Sequence, residues 1–189
     1  MGRLPDAARA RLRGRVLGFV FQSYNRLPRL TALEPVELPL VYQEAPNGRR
    51  RAAEALMRVG LGPRIHHRPS EMTGGEQQRV AIARMLIQEP KVILADEPIA
   101  SLDVIMRVQI MDLIRDIAVR DGLTVVMSLH QLDVAKTYAD RIIALAQGQV
   151  TFDGPPNELS DAVIERVFKK PVDEVDEDQT VEIAEASVE

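Results

Sequence analysis

Asp96 and Glu97 are adjacent carboxylates that directly follow the apolar run Val92-Ile93-Leu94-Ala95. Such a run reads as a parallel strand buried on both faces. Acids at its carboxyl end stand where open α/β sheets bind their ligands. Upstream, Thr73-Gly74-Gly75-Glu76 carries a T-x-x-E pattern, in which Thr73 caps a helix and Glu76 reaches back to close a capping box. The paired glycines allow a close backbone approach, and the helix start offers unpaired N–H groups and a positive dipole end. Phosphate is the natural guest for such a turn. Gln22 and His130 each come at the end of a β-type run, Val16 to Phe21 and Leu123 to Met127. Each group has a plainer reading when taken alone. Capping boxes are common, an Asp-Glu pair is usually a solvated turn, and a lone histidine is more often structural. Their order and spacing together carry the chemistry.

The elements that must position these residues can be read in chain order. Asp6 to Leu12 forms a short helix closed by Gly14, and Val16 to Phe21 a strand that delivers Gln22. Residues 23–70 form a helical subdomain. Within it Thr31 stands as a cap, Pro35 in a first helical turn, and Pro39 must kink or end that helix. Pro46-Asn47-Gly48 is a turn. Arg49 to Val59 places Ala52, Ala53, Leu56 and Val59 on one side of a helix that stops at Gly60. His66 and His67 diverge as neighbours without further His or Cys support and read as surface residues. Beyond Asp103, Val104 to Val119 is a long helix that buries Val108, Met111, Leu113, Ile114 and Ile117, and Asp121-Gly122 turns out of it. Leu132 to Ala139 is a short helix. Arg141 to Ala146 and Val150 to Phe152 are strands joined at Gln147-Gly148.

The motif set resembles that of ATP-binding-cassette (ABC) ATPases. MTGGE, residues 72–76, is similar to their signature motif, VILADEP to the Walker B strand, ASLD to the loop crossing the dimer interface, and GFVFQ to the strand entering the Q-loop. The resemblance implies a P-loop NTPase-like α/β fold, a parallel sheet with an inserted helical subdomain, working on ATP with Mg²⁺. It implies that Asp96 holds Mg²⁺ through water, that Glu97 polarises the attacking water, and that Gln22 reaches metal and water when the site closes. His130 resembles the switch histidine that contacts the γ-phosphate. Thr73, Gly74, Gly75, Glu76 and Asp103 would meet the nucleotide and interface of a second ATP-binding subunit. Transmembrane permease subunits are the further implied partners, with the helical subdomain presenting a groove to them. The implied location is cytoplasmic, peripheral on the inner face of the membrane.

One expected motif is missing from the chain. No GxxxxGK[ST] loop occurs, and none of Lys91, Lys136, Lys169 and Lys170 follows a glycine. The early strands and the Walker A loop of the family are therefore expected to be absent, leaving an open sheet edge and an uncovered apolar face. Most phosphate affinity belongs to that loop. Gln22, Asp96, Glu97 and His130 act on a nucleotide already held, so no appreciable ATP turnover is expected of this chain by itself.

Composition narrows the remaining classes. The 189 residues are one domain by length, with an ordinary hydrophobic fraction of 46%. No apolar run approaches the ~18 residues that a membrane helix needs. The basic start, MGRLPDAARARLRGR, lacks a signal-peptide core. Cysteine is absent, which removes disulfide and thiolate chemistry and suits a cytoplasmic protein. Residues 1–170 are read as a partial ATPase domain and 171–189 as an acidic, disordered tail. Eight of the 28 acids lie in the tail, so the rest carries 20 acids against 24 bases. A mildly basic body with an acidic tail does not argue for nucleic acid.

The subfamily features divide. LGFVFQSYNRLPRLTALEPVELPLVYQ is similar to lipoprotein-release and macrolide-export ATPases, whereas SLHQLDVAKTYADRIIAL with FDGPP resembles phosphonate-import ATPases. The longer match favours phosphonate-type import. A non-catalytic partner that lends only its signature motif to another subunit's site is the competing reading.

Overall fold

The computed structural model describes residues 16–21 and 29–168. Gln22, the 6–12 helix, Lys169, Lys170 and the 171–189 tail lie outside the described residues. The chain divides into two compact units, Met1–Tyr138 and Ala139–Glu189.

In the first unit, three five-residue strands form a parallel sheet in the order β1 (Leu17–Phe21), β2 (Val92–Asp96), β3 (Thr124–Ser128). The register pairs Phe21 with Asp96 and Asp96 with Ser128, so three side chains meet at the carboxyl edge on one face. The opposite face presents Gly18, Val20, Ile93 and Ala95 to the core. Gly18 is required there, because a Cβ would stand 2.5 Å from Cγ of Met85.

The expectation that β2 is buried on both faces is corrected. Leu94 is only half-buried, and its face-mates Phe21 and Val126 are 51% and 55% exposed. No described element covers that face. Its apolar run nevertheless fits the anticipated uncovered surface. Phe19 and Phe21 stack on it with ring centroids 6.0 Å apart.

The helices of this unit are α1 (Leu33–Tyr42), α2 (Gly48–Arg58), α3 (Gly74–Leu86), α4 (Val104–Asp121) and α5 (Leu132–Tyr138). Their apolar stripes meet the sheet in one continuous core, in which Leu56, Ile82, Ile93 and Ile110 are nearly or fully inaccessible. Each such side chain contributes roughly 1.5–3 kcal/mol on leaving water. Helix α2 buries Ala52, Ala55 and Leu56 and is followed by Val59 and by Gly60 at φ 77°. Pro39 does not end α1, which continues through it to Tyr42. The residue capping α1 is Ala32 rather than Thr31; Thr31 instead donates from N and Oγ1 to the Glu34 carboxylate, at 2.6 and 2.8 Å.

Helix α4 buries Ile110, Met111, Ile114 and Ile117. Val108 was expected inside and is 48% exposed. The stripe that reaches the core is offset to Ile110, one turn before Ile114 and two before Ile117. Gly122 ends the helix at φ 64°. His66 is exposed and His67 half-buried.

The second unit is an antiparallel hairpin, β4 (Ile142–Ala146) and β5 (Gln149–Gly154), followed by α6 (Asp161–Phe168). Gln147 and Gly148 turn it with φ 50° and 75°, the positive pair that a two-residue hairpin turn needs. Arg141 clamps Asp153 with a two-pronged contact at 2.7 and 2.9 Å.

Candidate active site

Strand β2 ends at Asp96, and the next residue, Glu97, takes φ 45°, a left-handed conformation that a non-glycine residue adopts at a cost. The turn is held from β3. Ser128 Oγ donates to Asp96 Oδ1 at 2.7 Å and accepts the Glu97 N–H at 3.0 Å. Two residues further on, His130 Nε2 is in direct contact with Glu97 Oε1, and an ionised carboxylate can only accept in that pair. The His130 side chain is 74% exposed and that of Glu97 29%. Water therefore reaches the imidazole freely and the carboxylate partly.

Asp96, Glu97 and His130 thus converge at one edge of the sheet, as their positions after β runs imply. Gln22 lies outside the described residues; the chain position before it, Phe21, is paired in register with Asp96. Ser128 was missed as a site residue. The available signal was register: a hydroxyl at the end of β3 falls opposite Asp96 once the strands are parallel and aligned.

The second group lies at the start of α3. Thr73 is the cap residue, and its Oγ1 accepts the Glu76 N–H at 3.2 Å while its own N–H donates to Glu76 Oε2 at 2.8 Å. The capping box is present as expected. Gln77 fixes the preceding loop by donating to the carbonyls of Pro69 and Met72, at 2.8 and 3.0 Å. Gly74 is exposed and Gly75 is buried, so at Gly75 the close approach that the paired glycines allow is taken up within the same unit. A Cβ on Gly75 would stand 2.6 Å from the Met106 sulfur, so α4 of the same unit packs on it. Asp103 is exposed and caps α4, accepting the Met106 N–H at 2.9 Å. Its carboxylate and the Gly75 contact therefore meet through one residue, Met106.

The donor set suits a hard cation that keeps most of its water. Asp96 Oδ2 and Glu97 Oε2 have no protein partner among the described residues, and no cluster of three or more metal-ligating side chains occurs among them. One or two carboxylates completed by substrate phosphates is how Mg²⁺ is usually held. The residues fit that ion; they do not form a cage for a metal alone.

An open parallel sheet that brings acids, a hydroxyl and an imidazole together at its carboxyl edge, with a Gly-Gly helix start in the same unit, defines a nucleotide-hydrolase class of α/β domain. The chain belongs to the ABC transporter ATP-binding family, whose model, described as "ABC transporter", matches residues 2–100. It is 42% identical to the phosphonates import ATP-binding protein PhnC of Thiobacillus denitrificans, over 97% of this chain and 74% of that protein. It is 39% identical to the phosphite import ATP-binding protein PxtA of Stutzerimonas stutzeri (89% and 64%). An uncharacterized ABC transporter ATP-binding protein of Thermotoga maritima is 51% identical (71% and 58%). Among solved structures, the dimeric bacterial ABC transporter cassette MJ0796 superimposes with TM-score 0.70 at 40% identity, covering 81% of this chain and 68% of that one. The same cassette has been solved as a dimer bound to ADP and Pi. The fold is that of the ABC cassette, a P-loop NTPase-like α/β fold, over part of its length. The chain spans about three fifths to three quarters of the length of these curated relatives. Among the described residues no helix is long and apolar enough to cross a membrane.

Proposed function

We propose that this chain is the ATP-hydrolysing subunit of a phosphonate-type ABC importer, with residues 1–170 as one partial ATPase domain. The observation that carries the reading is the cluster of Asp96, Glu97, Ser128 and His130 at the carboxyl edge of the sheet. ATP is the substrate. Mg²⁺, when bound, neutralises phosphate charge. Asp96 would hold it through water with Oδ2, which has no partner among the described residues. Glu97 Oε2 accepts a hydrogen bond from the attacking water, and His130 steadies Glu97 from the other oxygen and faces the γ-phosphate from its exposed position. Gln22, the next residue in sequence after β1, would complete the set. Two adjacent carboxylates repel ATP, and Mg²⁺ would offset that charge when bound, so hydrolysis depends on a phosphate cradle as well.

Thr73, Gly74 and Glu76 serve the nucleotide of a second ATP-binding subunit, with Gly74 exposed at the helix start, while Gly75 lets Met106 pack against the turn. Asp103 lies beside it at the dimer interface. Transmembrane permease subunits dock on the helical subdomain, which places the protein on the inner face of the cell membrane. The similarity to phosphonate and phosphite import proteins supports import rather than export. A second reading, a partner that lends only its signature motif, draws support from the well-formed start of α3.

Phosphate release separates the two readings. It is measured for this chain, for the chain preceded by a GxxxxGK[ST] loop with its strand, and for that longer form with Glu97→Gln. The expected pattern is no turnover, turnover, and a loss of about 10²–10⁴-fold with nucleotide binding intact. Turnover that survives Glu97→Gln sinks the assignment of Glu97 as base.

A further inference from the structure

The hydroxyl of Ser128 uses its proton and one lone pair to link two site residues. It donates to Asp96 Oδ1 and accepts from the backbone of Glu97, at 2.7 and 3.0 Å. Glu97 needs such an anchor, since its φ of 45° is unfavourable for a residue with a Cβ. The register sets Ser128 opposite Asp96 on the same face, so the bond to the carboxylate needs no displacement of either strand. Neither bond serves the core. Ser128 is exposed, and it terminates an edge strand whose open face carries Val126 at 55% exposure.

We propose that Ser128 is a positioning residue: its hydroxyl locks the Asp96 carboxylate and the Glu97 peptide into one arrangement and so presents Asp96 to a phosphate-bound divalent cation and Glu97 to the water beside it. The inference deepens the hydrolytic reading above and rests on it. By donating to Oδ1, Ser128 fixes the carboxylate plane and leaves Oδ2 pointing out for a metal-bound water. By accepting from the Glu97 N–H, it holds the left-handed turn that brings Glu97 Oε1 to His130. Removal of the hydroxyl frees both, and the turn relaxes toward an ordinary extended conformation.

The experiment compares wild type, Ser128→Ala and Ser128→Thr as the full chain by NMR. Two quantities are read: hydrogen exchange at the Glu97 amide, and Mn²⁺ broadening of Asp96 and Glu97 signals. Loss of a hydrogen bond to a charged or strained group corresponds to about tenfold or more in an equilibrium. Ser128→Ala is therefore expected to speed Glu97 exchange about tenfold and to require about tenfold more Mn²⁺ for equal broadening. Ser128→Thr, which keeps the hydroxyl, is expected to restore both. Equal thermal stability of the three proteins separates positioning from folding. The proposal is overturned if Ser128→Ala leaves Glu97 exchange unchanged, or if threonine does not restore it. If Mn²⁺ broadens nothing in wild type, the acids hold the cation only together with substrate phosphates, and the exchange comparison decides the role of Ser128.

Discussion

The two functional edges of the first unit are built by opposite means. At the start of α3, order comes mainly from residues three apart: Thr73 and Glu76 exchange a pair of hydrogen bonds, and Arg64 adds an ion pair to Glu76 at 3.4 Å. At the end of β2, order comes from residues more than thirty apart, with Ser128 and His130 reaching over from the β3 side to Asp96 and Glu97. A capping box survives as long as its own helix does. The carboxylate cluster exists only while β2 and β3 are paired in register, and a slip of one residue would turn Asp96 and Ser128 to opposite faces. An element that must bind an anion can be local. Groups that must share a cation and a water need a sheet to bring them together.

The contrast can be broken at Gly75, where the local edge acquires a distant contact. Gly75→Val pushes a branched side chain into Met106 and is expected to destabilise the fold by about 2–3 kcal/mol in urea denaturation. In a Met106→Ala background the same change is expected to cost clearly less; equal costs in both backgrounds would show that Met106 is not what excludes a side chain there.

Thr73→Ala sharpens the contrast. It removes the cap of α3 at a cost of about 1 kcal/mol, while the Asp96, Glu97 and Ser128 amide shifts stay where they are. Movement of those shifts would mean that the two edges are coupled. Asp103→Asn keeps an acceptor for the Met106 N–H and is expected to change stability by only a few tenths of a kcal/mol, whereas Asp103→Ala costs about 1 kcal/mol. Their difference isolates the cap from any interface role of the charge.

The smallest effect is at another reach-back, Glu34. Hydrogen bonds from the Thr31 backbone, then from its hydroxyl, hold the Glu34 carboxyl below its ordinary range. A lowered folded value means its contribution is present above the unfolded carboxyl value and is lost as pH falls through the folded one. The side chain is exposed, so solvent screening keeps the effect slight. Glu34→Gln should flatten the acid limb of the stability curve a little and leave neutral pH stability nearly unchanged. A variant that steepens the acid limb contradicts the sign.

What could be read from the chain itself follows the same division. Thr73 with Glu76, Asp121-Gly122 and Gln147-Gly148 are decided by neighbours in sequence, and each stands as read. The acids at the end of a short apolar run were also legible, because a buried strand has few places to put charge. Ser128 was not, since its role depends on a register that only the folded sheet fixes. A Gly-Gly pair signals close approach without saying what approaches; at Gly75 the answer is Met106. The apolar run of β2 likewise signalled burial, yet one face remains open among the described residues. Hydrophobicity records what a strand is made to touch, and Phe21, Leu94 and Val126 are made to touch something. Val108 lost its place to Ile110 because the long helix is apolar around much of its girth, leaving the buried stripe ambiguous by one turn.

The central claim is that Glu97 and His130 act as one unit on the attacking water. A double-mutant cycle on phosphate release tests it most directly, with Glu97→Gln, His130→Ala and the pair together in the chain preceded by a GxxxxGK[ST] loop. Because groups that act jointly are non-additive, each single change is expected to lose about 10²-fold or more and the double change little beyond the worse single. Losses that multiply, so that the double variant falls by the product of the two, would mean that Glu97 and His130 act independently and that their contact has no part in the chemistry.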